Sequence, residues 1–129
     1  MTSVWNIGAV AIGGASGATL RYAMNELFVR RGWYGLPMAT LVVNVVGCFL
    51  AGFVLVWLER RGAATPFWRN LLMTGFLGWL TTFSAFGVEL WQLLRADRFL
   101  LAAGTIASHL LLGVLAVALG FAAGRAAWG

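Results

Sequence analysis

The chain has no lysine, one cysteine, one histidine, two prolines and four acidic residues among 129. Each shortage excludes some chemistry. Without lysine there is no glycine-rich loop ending in Lys-Ser or Lys-Thr to cradle a nucleotide phosphate. The single cysteine, Cys48, allows no disulfide framework within the chain, and its place in an apolar run reads as a small buried residue. One histidine and one cysteine cannot supply the four-ligand sets of structural zinc sites. The acidic residues Glu26, Glu59, Glu89 and Asp97 are scattered, and no enzyme constellation forms around them. Residues 1–3 carry no positive n-region, so no signal peptide is expected. Charge itself is scarce, at 10% of residues against roughly 25% in soluble domains.

What is present is apolar: 61% of the residues are hydrophobic, more than a soluble domain of this size can hide. Four stretches, about 4–20, 36–58, 71–94 and 99–123, each approach the ~20 residues that cross a bilayer. Lipid satisfies no backbone polar group, so each is expected to be a helix. The expected architecture is all-α, a single four-helix transmembrane domain over 1–129. The connections carry the punctuation: RRGWYGLP (30–37), ERRGAATPFWR (59–69), with Thr65 before Pro66 as a helix start, and RADR (95–98). Trp33, Tyr34, Trp57, Trp68, Trp91 and Trp128 lie near segment ends, as an aromatic belt does.

The net charge is +5 and every basic residue is arginine. The arginines flank the apolar segments, which reads as anchoring in lipid headgroups and not as a nucleic-acid surface. Arg60, Arg61, Arg69 and Arg125 fall on one side of the membrane, and Arg21, Arg30, Arg31, Arg95 and Arg98 on the other. So small a difference fixes no orientation by the positive-inside rule. A chain of this kind can insert either way up, and two opposed copies can pair antiparallel, as inverted repeats do within one transporter chain.

Polar residues inside the spans point to a pathway. Gly13, Gly17 and Arg21 are four apart and share a helix face; the glycines permit close helix packing, and Arg21 either snorkels or offers an anion a positive vestibule. Thr40 and Asn44 share a face of the second span. The Asn44 amide is either glue between helices or an NH₂ donor to a permeating anion. In the third span, TGFLGWLTTFSAF (74–86) places Gly78, Thr81, Thr82 and Ser84 near mid-bilayer. Glycines and hydroxyls there let the helix break, which is tolerable where the freed carbonyls line a cavity or hold a cation. Phe83 and Phe86 share a face, and the positive edges of their rings suit an anion being stripped of water. Glu89, about one turn beyond Phe86, is the only carboxylate well inside a span, a functional candidate or a paired side chain. In the fourth span Thr105, Ser108 and His109 cluster at helix-face spacings; His109 reads as a helix–helix hydrogen bond or as a group titrating near neutral pH. Gly113, Gly120 and Gly124 continue a packing face.

GGASGATLRY (13–22), GLPMATLVVNVVGCFLAG (35–52) and RNLLMTGFLGWLTTFSAFGVE (69–89), in this order and spacing, resemble the signature segments of the Fluc (CrcB) fluoride channels. The resemblance implies an antiparallel, dual-topology homodimer of four-helix subunits in the cell inner membrane, exporting fluoride passively through two pores. It implies a structural sodium ion at the dimer centre, held by backbone carbonyls of Gly78 and Thr81. It assigns the fluoride pathway to Asn44, Phe83, Phe86 and Arg21, with Thr40, Ser84, Ser108 and Glu89 beside it. Two positions depart from the family pattern. Trp79 follows Gly78 where Gly-Gly is common, and Gly104 stands where a tyrosine often precedes the serine of the fourth helix. His109 takes no role from the family.

A small dual-topology multidrug exporter would have similar length and span number, and would be expected to carry a membrane-buried carboxylate; only Glu89 could serve. A non-transporting membrane subunit would use every glycine for packing and conduct nothing, and has no need of the Thr-Thr-Phe-Ser cluster.

Overall fold

The computed structural model describes residues 3–32, 38–61 and 66–128. All regular structure among them is helical. In chain order the elements are α1 (Val4–Arg30), α2 (Met38–Arg60), α3 (Pro66–Arg69), a π-helical segment (Asn70–Leu77), α4 (Gly78–Leu80), α5 (Phe83–Arg95) and α6 (Phe99–Trp128). α3, the π segment and α4 run on without a gap. The loop residues 33–37 and 62–65, with Trp33, Tyr34 and Thr65 among them, lie outside the described residues.

The helices outlast the apolar stretches that predict them. α1 continues from Leu20 to Arg30 and α6 from Ala123 to Trp128, because backbone bonding does not stop where lipid ends. α1 begins at Ser3, whose hydroxyl accepts from the Asn6 N–H at 3.2 Å, a serine N-cap. It ends at Gly32, whose φ of 77° is the left-handed stop that glycine supplies. The turn between α5 and α6 closes with Asp97 N–H on Leu94 O and Arg98 N–H on Leu93 O, the paired bonds of a Schellman stop. Here Asp97 takes the left-handed position at φ 56°.

Among the described residues, α2, the helical run Pro66–Arg95 and α6 are long and apolar enough to cross a membrane. α1 has the length, but its apolar residues are diluted by glycine, serine, threonine and asparagine. The packing is inside out relative to a soluble protein. The core is small: Val43, Leu77 and Leu80, with Met24, Leu50 and Phe76 against them. Large side chains point outward, and Leu111 and Val114 of α6 are 70% and 71% exposed. Such a surface on a soluble monomer would aggregate; in lipid it faces its own kind.

Two glycine seams hold the helices together. α2 lies along α6, and α1 lies along the π segment. A Cβ on Gly52 would overlap Val117 O, and one on Gly120 would overlap Phe49 O. On the other seam a Cβ on Gly13 would overlap Leu71 O, and one on Gly17 would overlap Phe76 O. Backbones therefore touch directly, the small-residue packing of membrane helices. At the α2–α3 end the Arg61 guanidinium sits 4.9 Å over the Trp57 ring, and Trp57 meets Trp68 edge-on. This is a basic and aromatic group of the kind found at lipid headgroups.

Candidate functional site

The site is built around two residues that are not helical. α4 stops at Leu80. Thr81 (φ −84°, ψ 154°) and Thr82 (φ −149°, ψ 120°) are extended, and α5 starts at Phe83. Extended residues inside a membrane need partners for both backbone groups. Asn44 of α2 supplies them for Thr82. Its Oδ1 accepts from Thr82 N–H at 2.9 Å, and its Nδ2 donates to Thr82 O at 3.2 Å. Thr82 in turn caps α5, its hydroxyl accepting from Ala85 N–H at 3.1 Å. Gly47, one turn beyond Asn44, makes room: a Cβ there would overlap the Thr81 methyl.

These bonds leave oxygen atoms behind. In a continuous helix, Gly78 O would accept from Thr82 N–H and Thr81 O from Ala85 N–H. The first N–H goes to Asn44 and the second to the Thr82 hydroxyl. Both carbonyls named by the family resemblance have thus lost their helical donors. Carbonyl oxygens are the donor set that a sodium ion takes at unwound membrane helices, so the residues present fit that ion.

Several of the expected pathway residues meet here. Thr40, four residues before Asn44, donates its hydroxyl hydrogen to Glu89 Oε1 at 2.5 Å. Glu89 Oε2 is buried and has no hydrogen-bond partner among the described residues. Ser84 Oγ lies 3.1 Å from Thr82 Oγ1. Phe83 and Phe86 stand 5.6 Å apart with planes tilted 57°. Phe83 is 82% exposed, whereas Phe86 is half-buried against the His109 ring. Arg21 joins two hollows. One, of about 370 Å³, is lined by Arg21, Thr40, Thr82 and Glu89. The other, of about 250 Å³, is lined by Arg21, Gly78, Thr81, Phe83 and Ser84. Its guanidinium Nε is buried and has no hydrogen-bond partner among the described residues. A fixed cation at the junction of two polar hollows attracts anions into both. Ser108 is half-buried on α6, and among the described residues none of the cluster's hydrogen bonds reaches it.

Of the two open readings of Asn44, the bonds observed are those of glue, made to the backbone of the break. An amide NH₂ has two hydrogens, so one remains for a ligand. Sequence reasoning missed the Asn44–Thr82 clamp and the contact of His109 with Phe86. Both join residues from different helices, and no spacing within one helix encodes them.

Residues 8–121 match the model of the family described as CrcB-like protein, Camphor Resistance (CrcB). The chain is 43% identical over 111 residues to the fluoride-specific ion channel FluC of Xylella fastidiosa (strain 9a5c), covering 86% of this chain and 78% of that protein. It is 41% identical over 114 residues to the protein of that name from Psychrobacter arcticus, covering 88% and 91%. With the one from Hahella chejuensis it shares 38% over 123 residues, covering 95% and 97%.

Proposed function

The chain belongs to the CrcB-like family, and from that membership we propose that it is a fluoride-specific ion channel, a multi-pass protein of the plasma membrane and not an enzyme. Fluoride enters cells as HF and is released as the anion in a neutral cytoplasm, so a passive exit relieves its toxicity. Family membership leaves the multidrug-exporter reading without support.

The observation that carries the route is the junction of Arg21, Thr40, Thr82 and Glu89 in one hollow with the Phe83–Phe86 pair beside the break. Fluoride is small and strongly hydrated, and a selective pore must replace its water with convergent donors. Arg21 enriches the anion at the mouth. The free Nδ2–H of Asn44, the hydroxyls of Ser84 and Ser108, and the ring edges of Phe83 and Phe86 replace the water, and Thr40, whose one hydroxyl hydrogen goes to Glu89, lies beside them. Glu89 holds the Thr40 hydroxyl in place.

The working unit is a dimer of four-helix subunits, broken in the third helix and assembled antiparallel, with two pores at the interface. Its support is that one chain leaves Phe83, Trp79 and the polar edge of the break open to its surroundings, and lipid solvates no such backbone. Gly78 and Thr81 of both copies would hold a sodium ion, whose charge raises the potential nearby for an anion.

Reconstitution into liposomes, read with fluoride and chloride electrodes, tests this reading. Fluoride should leave rapidly and chloride should stay. A folded, dimeric preparation that retains both ions overturns the channel assignment.

A further inference from the structure

His109 is the only histidine of the chain, and the route described above, on which this inference rests, does not use it. Its ring lies against Phe86, centroids 4.3 Å apart and planes 39° apart. Its Nδ1 is 3.0 Å from the carbonyl oxygen of Thr105, one turn back on α6. A carbonyl only accepts, so Nδ1 carries a hydrogen in this contact. In the neutral ring the other nitrogen, Nε2, is then a bare lone pair. Nε2 is buried and, among the described residues, meets no hydrogen-bond partner, and a buried acceptor without a donor is costly. Protonation changes that atom into a charged N–H donor, beside an aromatic ring whose face favours cations and whose edge favours anions.

We propose that His109 is a further residue of the fluoride route: its imidazole fixes the plane of the Phe86 ring, and its Nε2, once protonated, donates to the passing anion. Anion and proton then favour each other at this position, as linkage requires. The elements packed on α6 are α2 and α5. From α5 the ionisable group nearest along the helix to Phe86 is Glu89, whose Oε1 is taken by Thr40 and whose Oε2 is buried. From α2 it is the Cys48 thiol, beside Gly113, one turn from His109. An ionised carboxylate has no hydrogen to give and a thiol donates weakly, so the protonated imidazole is the strong donor on this side of the ring.

The test compares wild type, His109→Gln and His109→Leu in liposomes between about pH 8 and about pH 5.5, the range in which histidine changes charge. Protein-free liposomes correct for HF leak. Wild-type fluoride flux should rise severalfold on acidification, because a charged N–H is a stronger donor to the anion than a neutral ring offers. His109→Gln, an amide donor that does not titrate, should conduct at a rate independent of pH. His109→Leu should be equally flat and slower. A second readout is the NMR signal of the single imidazole at fixed pH: fluoride, but not gluconate, should move it toward the protonated ring. Flat wild-type flux, a slope that survives in His109→Gln, or an imidazole indifferent to fluoride overturns the inference and leaves the channel assignment standing. No fluoride flux from folded wild type removes the channel assignment, and this inference with it.

Discussion

Asn44 and Thr82 form a single rung of β-ladder inside a helical protein. The primary amide exchanges both bonds with the extended backbone of Thr82, as two opposed strand residues do. That explains how Thr82 stays extended without water: its N–H and C=O are both satisfied by one side chain on a neighbouring helix. Asn44→Leu keeps the branched shape and removes both partners. Each orphaned backbone group should cost about 1–3 kcal/mol, so the variant should unfold at clearly lower SDS in micelles and lose fluoride flux. Asn44→Asp keeps the acceptor for Thr82 N–H but turns a second oxygen toward Thr82 O; it should stay folded better than Asn44→Leu and conduct as poorly, because a negative charge now stands on the proposed anion route. An Asn44→Leu protein as stable as wild type would mean that the clamp is ornamental. The shared face of Thr40 and Asn44 was legible in their spacing, since helix geometry alone sets it. Their partners, Glu89 and Thr82, were not, because pairing across helices depends on register that no single segment records.

At the scale of elements, stability rests on backbones touching at glycine. The glycine faces of α1 and α6 could be read from period-four spacing; their partners, the π segment and α2, follow only from the fold. The π winding of Asn70–Leu77 left no mark in the apolar pattern, because a shift from four- to five-residue bonding changes no residue type. It belongs to the seam nonetheless: a Cβ on Gly75 would stand 2.9 Å from Val10 O and 3.1 Å from Gly13 Cα. Gly52→Ala and Gly120→Ala each drive a methyl into a carbonyl of the facing helix. Each should cost about 1–3 kcal/mol, the usual penalty for overpacking. Among the described residues, nothing lies within 4 Å of the same methyl on Gly8. Gly8→Ala should therefore be neutral or stabilise by up to about 1 kcal/mol, from helix propensity. Unfolding in mixed micelles distinguishes the two classes; equal effects at Gly8 and Gly120 would show that the seams tolerate separation.

For the whole molecule the deciding quantity is orientation. Apolar composition says that the chain enters the membrane, but on the four-span topology proposed above its arginines divide almost evenly between the two faces. Since Lys and Arg near span ends set topology, a few added charges should tip such a balance. Arginines added near the N-terminus should drive every copy one way up, and arginines added to the turn at Asp97 should drive every copy the other way. If the unit is antiparallel, each biased chain alone lacks a partner of opposite orientation, so neither should conduct fluoride or protect a fluoride-sensitive host. Co-expression should restore both, because each supplies what the other lacks. A parallel dimer predicts the reverse: at least one biased chain would work alone, and mixing would gain nothing. Accessibility of a terminal tag from each side of the membrane reports the orientation independently of flux. A wild-type tag reached from one side only, in an active protein, would rule out the antiparallel unit while leaving fluoride conduction untouched.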